Sequence, residues 1–523
     1  MAEKYEVVIV GAGHNGLIVG SYLAKAGVKV CILEDSDFFG GGVITRELTL
    51  PGFKHDACSV WHVFIQANPL LRNDELELFS KFGLEYVSPK NLTSVVFDDG
   101  MHYTQYKDLD KTCETIATFS EHDAEVYRKF HDWSAKMLDM VLMGLFGPTP
   151  SFGESTMMLD STPEGRILLR ALMSSSWDIA DEWFESEKMK IVFSRYASEL
   201  MVSPFTKGTG YHLFVFIPMQ HRFDAAIPVG GSGGLSEALA RCFEHHGGTI
   251  RLSSTVKEFK ISGGEASGVI LESGEEIEAT KGVVSCINVM QMFPDMVPGA
   301  ELPEDFEWGI KNLKPSGFMA FGQHYALNEA PAWTVGEDAP WIEYCHSDQY
   351  EYRRSFQDLD LGIPRDDIIN VFVATKIDPT RAPEGKHTMY LYSYAPYFLK
   401  DGGPQKWDEI KEDLADRILD RVREIAPNLD SSNILGRRIL SPLDYERRNR
   451  AMMRGDINHF GPHNVQMQGN RPLSGWHKYR TPVDKLYIAG ASTHPGPGVS
   501  GAGRAGVQVV MEDLGIDFED VVG

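Results

Sequence analysis

Close to the start of the chain, Gly11-Ala12-Gly13-His14-Asn15-Gly16 sets three glycines at the spacing GxGxxG. Glycines so placed permit a tight turn, a close approach of backbone to a pyrophosphate, and tight packing of the next helix on the preceding strand. A helix opening there presents free N–H donors and a partial positive charge to phosphate oxygens. Asn15 sits among those donors. Glu34 ends the second expected strand, where a carboxylate accepts bonds from ribose hydroxyls and disfavours a 2′-phosphate. A dinucleotide other than NADP is therefore expected. Gly40-Gly41-Gly42 follows, a loop by itself. A second Gly-rich block lies near the C-terminus, from Ala489-Gly490-Ala491 through His494-Pro495-Gly496-Pro497-Gly498-Val499 to Gly501. It joins a strand to a helix and suits closing over an isoalloxazine ring. Backbone donors around Gly490, Gly498 and Val499 would there stabilise negative charge on a reduced flavin. His494 is the first candidate for an acid–base group. Its other reading is a structural histidine bonded to backbone.

These residues need elements to hold them. Tyr5 to Val10 reads as a strand covered on both faces, Leu17 to Ala26 as a helix ending at Gly27, and Val28 to Leu33 as the second strand. From about Lys107 to Arg222 the spacing is helical, most clearly over Ala124 to Leu145 and Ile167 to Met201. Gly230 to Gly234 opens a helix over Leu235 to His246. Short strands follow at Thr249–Leu252, Val256–Ile261, Ala266–Glu272, Glu276–Ala279 and Gly282–Cys286. A mixed region covers Pro303 to Leu440, and strand, turn and helix close the chain over Lys485 to Leu514. The fold class is α/β: a discontinuous Rossmann-type FAD-binding domain (1–106, 223–302 and 441–523) with an inserted α+β substrate-binding domain (107–222 and 303–440).

At 523 residues the chain exceeds what one hydrophobic core sustains. A formal charge of −24 repels phosphate backbones and anionic headgroups, which excludes nucleic acid as a partner and a polybasic membrane anchor. No apolar run reaches the length of a membrane span, although a local apolar patch leaves peripheral membrane contact open. The start Met1-Ala2-Glu3-Lys4 carries no leader signature, so a cytoplasmic location is expected. The six cysteines are scattered without CxxC or metal spacing, and no metal site is expected.

Further stretches sharpen the picture. Pro51-Gly52-Phe53-Lys54-His55-Asp56, Asp181 to Ser186, Ser203-Pro204-Phe205-Thr206, Gly230 to Leu235, Asp378-Pro379-Thr380, Tyr394-Ala395-Pro396-Tyr397 and Thr493-His494-Pro495-Gly496 span nearly the whole chain. With them the chain resembles the phytoene dehydrogenase-related FAD-dependent oxidoreductases of the flavin amine-oxidase superfamily. That resemblance implies noncovalent FAD, a paired-glycine contact by Gly40, Gly41 and Gly42, and Val256 near the adenine. It also implies that His459 lies close to the flavin. Tyr211, with His212, is a weaker catalytic candidate in the substrate domain. Two departures stand out: Gly42 where relatives carry Arg or Ala, and Pro497 where a glycine would donate an N–H. The expected activity is dehydrogenation of a bulky, largely apolar small molecule by hydride transfer to flavin N5, with oxygen, a quinone or another acceptor reoxidising the flavin. The alternatives are a flavin-dependent double-bond isomerase or saturase, and a non-catalytic binder of the Rab-escort type. Trp61-His62 and Tyr350 to Arg354 are candidate pocket clusters.

Overall fold

The computed structural model describes residues 3–336 and 339–523, Pro294 by its backbone alone. Met1 and Ala2, from which the start of the chain is read, lie outside them. The first strand, Glu3–Val10, sends Val7 and Ile9 into one core and Tyr5, Val8 and Val10 into another, which is why Val7 to Val10 is an unbroken apolar run. It pairs in parallel with Val30–Leu33 on one side and with Glu276–Ser285 on the other. Thr249–Arg251 and Leu486–Ile488 extend this parallel core, and the antiparallel pair Val256–Ser262 and Glu265–Leu271 closes one edge. Glu276–Ser285 is one strand, where the sequence suggests two; Thr280 and Lys281 carry no turn signal and the backbone simply shifts register opposite Tyr5 and Val7. Three distant pieces of chain thus build one Rossmann-type sheet.

A second, seven-stranded sheet stands beside it, in the order 434–440, 319–327, 387–395, 369–372, 341–345, 91–97, 102–106. Its interior strand His387–Ala395 alternates with period two. Met389, Leu391 and Ala395 face the long helix Trp407–Ile425, and Tyr390, Tyr392 and Tyr394 face the opposite way. The helical insert covers that tyrosine face. Its longest helix, Glu121–Leu145, starts earlier than the apolar spacing suggests because the Ser120 side chain caps Asp123 N–H. The apolar spacing over Ile167 to Met201 resolves into three helices and a 3-10 turn. Ser175 and Asp178 form a capping box there, which restarts the helix.

Several segments pack across the expected domain boundaries, the helix Pro442–Arg448 among them, which sends Leu443 into the second sheet's core. Asn91–Phe97 and His102–Tyr106 pair with the second sheet, through Trp341–Cys345, rather than with the first. Glu304–Lys311 packs Phe306 and Ile310 into the core of the first sheet rather than the second. The boundaries follow local changes of pattern, while strand and helix partners are chosen over long range. Among the described residues, no helix is long and apolar enough to cross a membrane.

Candidate active site

The helix His14–Lys25 begins at Gly13 with no side-chain cap, so no N-cap side chain satisfies its first N–H groups. Gly11 takes φ +100°, a conformation that glycine alone adopts without strain. Gly41 crosses directly over this turn. It has φ +60°, and a Cβ on it would meet Gly13 Cα at 3.1 Å. Gly40, buried behind, ties the two segments through its N–H to Ala12 O (2.8 Å). At the end of the second strand the Glu34 carboxylate accepts Ala12 N–H (2.8 Å) and Ser36 N–H (3.0 Å). Burial raises its pKa, and these two donors pull it back.

A cavity of about 480 Å³ runs from this corner to the second sheet. One end is lined by Glu34 and Val256, beside Ser254 and Thr255. Its middle is lined by Gly11, Gly13, Asn15, Gly16, Gly41 and Gly42. Opposite stand Asn458, His459, Ala491, Gly498 and Val499. The far end is lined by Trp61, Trp341, Tyr390, Tyr392 and Glu199. Of the residues expected to hold the cofactor, only Gly40 and Gly490 do not face the cavity. Both support its wall, Gly490 by packing against Asn15.

The catalytic candidates separate. His459 lines the cavity in a left-handed backbone conformation (φ +67°). Its Nδ1 shares a hydrogen bond with Ser492 Oγ (2.9 Å). Burial, with help from Arg471 and His14, pushes its pKa down to about 3, so the ring is neutral. His494 does not line the cavity: its Nε2 meets Gly144 O at 2.7 Å, joining the C-terminal block to the helical insert. A bond to a backbone carbonyl is the feature that the structural reading of His494 names. Tyr211, at the start of helix Tyr211–Arg222, also stands outside the lining and packs among apolar side chains with His212. Trp61 is in the lining, whereas Tyr350 is 73% exposed on the surface.

Sequence reasoning missed the acidic cluster. Glu199 faces the cavity from the 3-10 turn Arg195–Leu200, and Tyr392 OH donates to its Oε2 (3.2 Å). Behind it, Arg195 contacts Glu343 at 2.5 Å and Glu199 at 3.7 Å. Burial raises both carboxyls above the usual range and Arg195 opposes the shift. The Arg195–Glu199 spacing of one helical turn and the alternating tyrosines 390 and 392 were the available signals. Neither says that the two meet.

The residues fit FAD. The uncapped helix start, the glycine crossing and the Glu34 carboxylate match a pyrophosphate and a ribose. His14 Nε2, from a cavity-lining residue, is buried without a partner in the protein. Cys58 and Cys286 also line the cavity, and burial pushes their pKa values up to about 11 and about 12.

A sequence profile of the family described as flavin containing amine oxidoreductase matches residues 16–512. The chain is 30% identical to the rat (Rattus norvegicus) pyridine nucleotide-disulfide oxidoreductase domain-containing protein 2, over 98% of this chain and 94% of that one. It is 25% identical to a limonene dehydrogenase polypeptide of Castellaniella defragrans, over 99% and 96%. Cyclohexylamine oxidase from Brevibacterium oxydans shares the fold with a TM-score of 0.62 at 16% identity, covering 98% and 99% of the two chains.

Proposed function

The chain belongs to the flavin-containing amine oxidoreductase family, its cofactor is FAD, and on that premise we propose that it dehydrogenates a largely apolar small molecule such as a terpenoid, polyene or aromatic compound. The observation that carries this reading is the continuity of one cavity, with dinucleotide-type residues at one end and an aromatic wall at the other. Bound flavin supplies a two-electron acceptor for hydride. The remaining work falls to the chain. The helix start at His14 and the Gly41 crossing hold the pyrophosphate, Glu34 the ribose, and Val256 borders the adenine end.

At the far end, ring centroids of Trp61 and Trp341 lie 5.9 Å apart, and those of Tyr390 and Tyr392 lie 5.7 Å apart. Such rings bury an apolar body and keep water away. Among the described residues Glu199 is the one carboxyl in that wall, and it takes the proton that leaves the substrate as the hydride departs. Tyr392 and Arg195 orient it. Cofactor attachment is noncovalent in this reading, because no cysteine lies in the C-terminal Gly-rich block from Ala489 to Gly503.

The likeness to limonene dehydrogenase supports an apolar substrate. The competing reading, double-bond isomerisation or saturation without net oxidation, differs in one readout. The test is anaerobic addition of terpenes, polyenes, aromatic alcohols and amines to the flavin-loaded protein, followed by the visible flavin band. Bleaching by an apolar compound is expected. Failure of every compound to bleach it, with isomerisation of a polyene by the pre-reduced protein, overturns dehydrogenation.

A further inference from the structure

Arg471 is fully buried, and among the described residues no carboxylate forms an ion pair with it. Its donors go to uncharged acceptors. Nε and Nη2 donate to Ala491 O (2.9 and 2.6 Å), Nη2 to Asn458 O (2.9 Å) and Phe460 O (3.4 Å), and Nη1 to Gln466 O (3.2 Å). The Phe460 ring lies against the guanidinium, 3.9 Å from its central carbon. Asp456 is the carboxyl whose field reaches Arg471. Its oxygens are taken up by Ser316 N–H, Ser316 Oγ–H and Asn458 N–H. Burying a cation without a contacting anion is unfavourable, and a fold keeps one only where ordered dipoles surround it. Burial works to lower the Arg471 pKa, yet a guanidinium held by four carbonyl oxygens stays protonated.

Two of those carbonyls, of Ala491 and Asn458, belong to residues that line the cavity. The charge therefore stands one peptide group behind the cavity wall. Some backbone donors near that wall are absent or already used. Pro497 has no N–H, the helix Ala502–Asp513 begins only at Ala502, and Gly503 N–H is taken by Asn15 Oδ1 (2.9 Å). A hydride brings two electrons and one proton, so a reduced ring that gains no second proton carries a negative charge. In a water-poor site a fixed cation acts on such a charge with little screening.

We propose that Arg471 is an electrostatic residue, whose buried charge acts through the Ala491 and Asn458 backbone to stabilise the reduced, anionic flavin in this cavity. The proposal rests on the cofactor and not on the substrate reading, so it stands or falls without a known substrate.

The test compares the flavin-loaded wild type with Arg471→Lys and Arg471→Met, by dye-equilibrated reduction and by sulfite binding to the oxidised flavin. Arg471→Met is expected to shift the reduced-to-oxidised ratio at fixed potential by about tenfold toward oxidised, ~30 mV for a two-electron couple. Sulfite affinity should fall by a similar factor. Arg471→Lys, which keeps the charge and loses most of the hydrogen bonds, should stay near wild type. An unchanged potential in the Met variant overturns the proposal. So does a Lys variant that shifts as far as the Met variant, since that result assigns Arg471 to loop packing alone. If the Met variant does not fold, Asp456→Asn serves instead. Removing that anion should shift the ratio toward reduced, and no shift or the opposite shift overturns the proposal.

Discussion

A carboxyl that accepts a proton must first be ionised, and burial raises Glu199 above the usual carboxylate range. Flavin reduction should therefore slow as pH falls through that raised pKa, since protonated Glu199 cannot take the substrate proton. Glu199→Gln is expected to lower the reduction rate by roughly 10²–10⁴-fold, to abolish that acid limb, and to leave flavin content unchanged. His459 has its pKa pushed down to about 3, so it is neutral throughout the working range and His459→Asn should keep the limb. Anaerobic stopped-flow reduction across pH, with a compound that bleaches the flavin, measures both variants. An acid limb that survives in Glu199→Gln removes Glu199 from the chemistry. At this scale the sequence is readable where a residue type has one main use. The glycines of the first turn and Glu34 are such residues. It does not decide between the two readings of His494, because a histidine near a flavin and a histidine bonded to Gly144 O are written with the same letter.

Elements bring such residues within reach of one another, and buried arginines fasten the elements. Arg504, on the helix Ala502–Asp513, grips Glu75 through Nε (2.7 Å) and Nη2 (2.6 Å), while Tyr22 OH of the first helix donates to the same carboxylate (2.5 Å). Three segments converge there, with Glu75 only 5% exposed. Arg504→Met leaves that carboxylate buried without its cation and should cost about 3–5 kcal/mol. The thermal midpoint of the flavin-loaded variant reads the loss, and a midpoint equal to wild type refutes it. The first strand, first helix and second strand were legible because strand, turn and helix there follow one another in sequence. The tyrosine face of His387–Ala395 was legible only as alternation. What it faces depends on a helical insert more than a hundred residues upstream.

For the whole molecule, the two sheets meet across the cavity, and the Asp56–Arg381 pair helps join them. Arg381 Nη2 contacts Asp56 Oδ2 at 2.8 Å, and Asp56 Oδ1 accepts Ser232 N–H (2.8 Å) at the head of a first-sheet helix. A ligand that fills the space between two such bodies stabilises the assembly by mass action, about 2.7 kcal/mol at a hundredfold excess over its Kd. Removing the flavin should therefore lower the thermal midpoint and speed proteolysis of the chain, and adding FAD back should restore both. Equal midpoints with and without flavin would place the cofactor outside this cleft.

The sequence by itself determined the cofactor class, because a GxGxxG turn between strand and helix, followed by an acid, is a local arrangement whose chemistry follows from adjacent residues. It also determined the α/β character and the surface charge, which depend on composition and short-range period. Only the tertiary structure decided the rest. It set strand partners for residues 91–106, gathered Glu199, Tyr392 and Trp341 from three separate segments, and left Arg471 buried behind the cavity wall. Those contacts join residues far apart in the chain. Burial and the loss of solvent screening, which give them their chemical meaning, exist only once the chain has folded.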